Sequence, residues 1–134
     1  MIVEDYTTAY YETVLHQPTP DVRTGKFLHI VGPDDEYLVL SPTELTKFHA
    51  HIVKRFCGLH EDLSSSSPHS QEEILIDQRG WRVRGGGRFR LDQRSRTLTL
   101  WGSSKAYGAF NGAHIQEHMR DAAGYEGYAV HIDE

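Results

Sequence analysis

The pattern of apolar and polar positions changes character at Lys26. Before it, Tyr6, Tyr10, Tyr11 and Leu15 are scattered ahead of Gln17-Pro18-Thr19-Pro20, whose two prolines end any regular element. Residues 1–25 are therefore expected to form an N-terminal extension that packs loosely or not at all, with the folded domain spanning 26–134. From Lys26, Phe27-Leu28-His29-Ile30-Val31 and Glu36-Tyr37-Leu38-Val39-Leu40 flank a Gly32-Pro33-Asp34-Asp35 turn, which predicts a hairpin.

Ser41-Pro42-Thr43-Glu44 combines a capping serine, proline at the first helical position and glutamate three residues after the cap, so a helix is expected to start there. Leu45, Phe48, Ile52, Val53 and Phe56 recur at helical spacing, and Gly58 provides a stop. His49 lies on or beside this apolar face, whereas His51, two positions on, points roughly 200° away. Residues 59–71, with Ser64 to Ser67, Pro68, His69 and Ser70, read as a polar loop insertion in which His60 and His69 are exposed.

Strand patterns resume at 73–77, 80–84, 88–92 and 97–101, with Gln93-Arg94-Ser95-Arg96 as a turn. Asn111 is placed to cap a second helix over 112–123, with Ile115, Met119 and Ala122 facing inward, and Tyr125 to Ile132 forms a last strand. The expected fold class is α/β of the α+β kind: a single mixed β-sheet of about six strands with two main helices packed on it.

Composition narrows the function classes. The chain has 134 residues, 14 basic, 19 acidic, nine histidines and one cysteine, Cys57. A lone cysteine excludes an internal disulfide framework and a multi-cysteine zinc site, and it suits a reducing compartment. The apolar runs are strand-sized and the N-terminus lacks a signal-peptide pattern, so a cytoplasmic location is expected, without a membrane partner. The net charge of −5 argues against a general nucleic-acid binder, yet residues 79–105 carry eight basic groups against Asp92 and are locally +7, leaving −12 elsewhere. Such a segment attracts an anion even on an acidic protein.

Three features carry candidate chemistry. His49, with an ordinary pKa near neutrality, suits an acid, base or nucleophile; taken alone it is more simply a half-buried histidine satisfied by a neighbour. Gly85-Gly86-Gly87-Arg88 is expected to join two arginine-bearing strands and permits close approach to an anion, or equally a bulge or tight bend. Gly102-Ser103-Ser104-Lys105-Ala106-Tyr107-Gly108 follows a strand, and its backbone N–H groups, hydroxyls and lysine suit a phosphate; the plain alternative is a loop leading into a helix. His114 and His118, four apart, could share one metal edge, but without a third ligand they read as surface residues, and no metal site is expected. Walker, dinucleotide-binding and nucleophile-elbow motifs are absent.

Taken in order, Phe48-His49-Ala50-His51-Ile52, Gly85-Gly86-Gly87-Arg88 and Trp101 to Gly108 resemble the small protein-histidine phosphatase, or Janus, family. The resemblance runs from about Lys26 to Ile132 and is densest from Gly85 to Gly108. It implies metal-independent hydrolysis of phosphohistidine, and of related phosphoramidates such as phospholysine, on proteins or peptides, with no cofactor. It further implies that His49 is catalytic, as general base or nucleophile, and that Ser104, Lys105, Ala106, Arg88, Lys26 and Gly87 hold the phosphoryl group. The sequence departs from the family where a strand lysine is replaced by Leu28 and a pre-helix arginine by Ser41. Phosphohistidine-containing proteins or peptides are the expected partners and a monomer the expected state. A binding module of the same fold that has lost catalysis, and an RNA- or ribonucleoprotein-associated role for the arginine-rich segment, are the competing readings.

Overall fold

In the computed structural model, which describes residues 1–45, 48–70 and 73–133, with side chains described except at 68–70, the expected hairpin is the centre of the sheet. Strand β1 (Ile2–Asp5) is followed by a short helix α1 (Tyr6–Ala9) and a π-helical turn over Tyr10–Val14. The hairpin is β2 (Val22–Val31) with β3 (Glu36–Ser41), and helix α2 spans His49–Leu59. A small pair, β4 (Ser65–Ser70) and β5 (Glu73–Ile76), precedes the long β6 (Arg82–Asp92) and β7 (Thr97–Trp101). Helix α3 (Gly112–His118) runs into a 3-10 turn, and β8 (Ala129–Asp133) closes the order.

One six-stranded mixed sheet, ordered β1-β3-β2-β6-β7-β8, agrees with the expected fold class. Its outer strands pair in parallel and its inner four are antiparallel. Alternation along β2 divides two cores. Leu28 and Ile30 pack with Ile52, Val53 and Phe56 of α2, whereas Phe27 packs with Phe89, Leu98 and Ile115 under α3. Side chains one apart on a strand face opposite ways, so α2 and α3 cover opposite faces.

Several expectations are corrected. The N-terminal segment is not loose: β1 pairs in register with β3 from Ile2 opposite Tyr37 to Asp5 opposite Leu40. Buried Arg23 ties it down, donating to Asp5 at 2.8 Å, to the Pro20 carbonyl at 2.7 Å and to Gln93 at 2.9 Å. Four residues were too few to show strand alternation in the sequence.

The capping pattern at Ser41 does not start a helix. Ser41 is buried as the last residue of β3, opposite Lys26, and Pro42 to Leu45 form a turn closed by the Leu45 amide on the Pro42 carbonyl. Thr46 and Lys47, inside the expected helix, lie outside the described residues. The helix starts at His49 with Phe48 as its extended cap residue and runs one residue past Gly58. Pairing with β2 outcompetes the local capping signal. The polar segment is likewise partly strand, β4 pairing with β5 outside the main sheet. His60 is half-buried rather than exposed, bonded to Glu4 at 2.7 Å with its ring 4.1 Å from that of Phe56; the His69 side chain lies outside the described residues. The glycine run joins no two strands either: β6 passes through it unbroken, with a register shift opposite His29 and Ile30. Asn111 does cap α3, its side chain accepting from the His114 amide at 3.1 Å, and Ile115, Met119 and Ala122 are buried.

Candidate active site

Strand register first places two like charges side by side: Lys26 on β2 stands directly opposite Arg88 on β6. Like charges at opposed positions repel each other across a sheet, and the pair concentrates positive charge on this face. Burial and the Arg88 charge both depress the pKa of Lys26.

His49 enters the same space from α2. Its Nε2 lies 2.9 Å from the Gly87 carbonyl. A carbonyl only accepts, so Nε2 carries the hydrogen and the lone pair is left on Nδ1. The side chain is 8% exposed. Burial lowers its pKa from 6.5, opposed by the Gly87 bond and reinforced by the charges of Lys26 and Arg88, so the ring is neutral at physiological pH.

Close approach of β2, with the His49 ring of α2 above it, is what requires glycine at position 86. A Cβ at Gly86 would collide with the Phe27 carbonyl and lie 2.7 Å from Leu28 Cδ2 and 3.2 Å from His49 Cδ2.

The loop from Gly102 to Gly108 forms the third wall. Ser104 and Gly108 exchange backbone hydrogen bonds at 3.0 and 2.8 Å, buried Ser104 accepts from the Tyr107 amide at 3.2 Å, and the Gly86 amide donates to Gly108 at 3.3 Å. Tyr107 anchors the loop to β5, its hydroxyl accepting from the Ile74 amide at 2.9 Å and donating to the Ile74 carbonyl at 2.7 Å. None of these closing bonds uses the amides of Lys105 or Ala106.

One cavity of about 400 Å³ is lined by Lys26, Phe48, His49, Glu73, Arg88 and the loop residues Ser103 to Ala106. Six of the seven residues expected in the site, His49, Ser104, Lys105, Ala106, Arg88 and Lys26, therefore meet in it, and Gly87 supplies the carbonyl that holds His49. Leu28 is buried in the core, so the lysine of this strand that reaches the cavity is Lys26. Ser41 puts no charge opposite it.

Lys26, Arg88 and Lys105 against Glu73 leave this cavity net positive beside a neutral histidine, which suits a small anion. The chain matches no family model, and no curated protein matches it significantly.

Sequence reasoning missed Phe48 and Glu73. Phe48 looked like part of the apolar helix face but is 41% exposed at the mouth, with the Lys26 ammonium 6.0 Å from its ring centre. Glu73 is the first residue of β5, and only the tertiary position of that small sheet brings it to the cavity; no local signal could have found it. Elsewhere in the basic segment, Arg94 is paired with Asp21 at 2.9 Å and Arg90 lies 3.9 Å from Asp92, so part of that charge is met within the protein. Among the described residues no helix is long and apolar enough to cross a membrane.

Proposed function

We propose that the protein is a metal-independent phosphatase that hydrolyses phosphohistidine on proteins or peptides, with phospholysine as a second phosphoramidate substrate, acting as a cytoplasmic monomer. The observation that carries this reading is His49: a neutral imidazole with its lone pair on Nδ1, in one cavity with Lys26, Arg88, Lys105 and the loop residues Ser103 to Ala106. The resemblance of the Phe48-to-Ile52, Gly85-to-Arg88 and Trp101-to-Gly108 segments to protein-histidine phosphatases points the same way.

The phosphoryl oxygens sit on the loop amides and the Ser104 region, with Lys26, Arg88 and Lys105 balancing their charge. In the overall reaction water adds across the P–N bond, its oxygen going to phosphorus and one proton to the departing nitrogen. The Nδ1 lone pair serves either route to that end, attack on phosphorus or removal of a proton from the attacking water. A P–N bond to a protonated imidazole is already weak, so positioning and charge supply most of what is needed. Glu73 in the wall favours a cationic leaving group over a neutral one.

The test compares phosphohistidine and phosphoserine forms of one peptide in the presence of EDTA. The proposal expects phosphate release from the phosphohistidine peptide alone. Ser41 in place of a charged residue favours one second reading, a phosphate-binding module without turnover, and saturable binding of the peptide without release would establish it instead.

A further inference from the structure

On the opposite face of the sheet from His49, two elements, β2 and α3, bring three imidazoles onto one carboxylate of β3. His29 lies on β2 between Leu28 and Ile30, so it points to the α3 side. Its Nε2 is 2.8 Å from Oε1 of Glu36, the first residue of β3, and Nε2 of His114 on α3 is 2.7 Å from the same oxygen. His118, one turn on, has its ring stacked 4.0 Å from that of His114 and its Nε2 4.0 Å from Glu36 Oε2. The expectation that His114 and His118 are plain surface residues is thereby corrected: their side chains are 24% and 40% exposed and share Glu36.

We propose that His29, Glu36, His114 and His118 bind a divalent transition-metal cation of the zinc type. Imidazole nitrogens with one carboxylate are a donor set such cations favour over magnesium or calcium. The ligand atoms of His29, Glu36 and His114 all lie within 4.8 Å of one another. Bonds of about 2.0–2.2 Å to a common ion would spread the Nε2 and Oε1 atoms by about half an ångström from their hydrogen-bonded separations. Glu36, 23% exposed at its side chain, can take up that shift.

The tautomer of His118 suits the role. His118 Nδ1 donates to the His114 carbonyl at 2.9 Å, which leaves the Nε2 lone pair facing the cluster, an outer-shell bond of the kind that orients metal-ligating histidines. Glu36 Oε1 only accepts, so His29 and His114 hold hydrogen on Nε2 toward it, and a cation binding there displaces both of those hydrogens; Nδ1 of His29 is buried without a hydrogen-bond partner. The i and i+4 spacing on α3 sets two rings on one helix face, and the β2–β3 hairpin supplies the other two ligands from a rigid ladder. The bound ion would cross-link α3 to the sheet and leave the His49 cavity untouched.

The test uses full-length protein stripped with EDTA, dialysed and titrated with Zn2+ against a chromophoric chelator, with thermal melting in parallel. Wild type should take up one equivalent with micromolar or tighter affinity and melt about 5 °C or more higher in excess Zn2+. Glu36→Gln and His114→Ala, checked for native far-ultraviolet circular dichroism, should each weaken binding about 10- to 100-fold and lose the melting shift. His51→Ala, an exposed histidine outside the cluster, and His49→Ala should bind as wild type does. No stoichiometric Zn2+ uptake by wild type at micromolar affinity, or uptake by Glu36→Gln and His114→Ala equal to that of wild type, would overturn the proposal and leave Glu36 as a hydrogen-bond acceptor only.

Discussion

Tyr107→Phe removes one oxygen atom and with it both bonds that pin the Gly102–Gly108 loop to β5, the Ile74 amide on the hydroxyl at 2.9 Å and the hydroxyl on the Ile74 carbonyl at 2.7 Å. Ile74 is 8% exposed and packs in the α2-side core, so its amide and carbonyl lose partners where water reaches poorly. A buried polar group stripped of its partner costs about 1–3 kcal/mol. Two groups on one residue, partly relieved by relaxation at the cavity edge, give about 2–3 kcal/mol. For a domain of this size that corresponds to a fall in melting temperature of roughly 6–12 °C. Because Ser104, Lys105 and Ala106 of the same loop line the cavity, kcat/KM for phosphohistidine peptide should fall about tenfold even where the variant is fully folded. Calorimetry and steady-state kinetics on the same preparation check both. A melting temperature within about 1 °C of wild type together with unchanged kcat/KM would refute the claim that Tyr107 fixes the loop.

Acid inactivation should show a kcat/KM limb below pH 6.5, because burial and the charges of Lys26 and Arg88 lower the pKa of His49; Lys26→Met should move that limb upward, whatever it does to the maximum rate. Stability should also fall on acidification: His29 and His49 stay neutral in the folded chain below 6.5 while the unfolded chain takes up their protons, so urea midpoints hold above 6.5 and decline from there toward pH 5, and a flat profile would contradict the burial argument. At the alkaline end burial pushes the Tyr107 phenol up to about 12, so the unfolded chain ionises first and stability declines above pH 10, a decline reduced in Tyr107→Phe. Gly86→Ala should cost about 1–3 kcal/mol through contact with the Phe27 carbonyl, Leu28 and the His49 ring, whereas Gly58→Ala, in α2 with nothing within 4 Å of the new Cβ, should stabilise by about 0.5–1 kcal/mol; denaturant melts of the pair decide it.

What the sequence made legible was governed by local pattern. Phe27 to Val31 and Glu36 to Leu40 are short apolar runs around a strong turn and became β2 and β3. Asn111 and the Ile115-Met119-Ala122 stripe became a capped helix with its inward face buried. The misreadings arose where long-range pairing outweighed a local signal. Ser41 carries a good helix-start pattern yet completes a ladder opposite Lys26, and the short β1 depends on buried Arg23, 18 residues away, for its anchor. In the site, His49, Arg88, Lys26 and the Ser104–Ala106 loop could be picked from residue type and order, and they do meet in one cavity. Glu73, Phe48 and the convergence of His29, Glu36 and His114 depend on how separate elements stack, which no single segment encodes.

The central claim is that His49 performs chemistry on a phosphoryl group the cavity holds. A single-turnover experiment tests it most directly: enzyme in excess over a phosphohistidine peptide in EDTA, with phosphate release and peptide binding followed in the same samples for wild type and His49→Ala. The account predicts release by wild type and at least about 100-fold slower release by the variant at comparable peptide binding. Equal release by the two proteins, or release by neither above the uncatalysed rate, would contradict it.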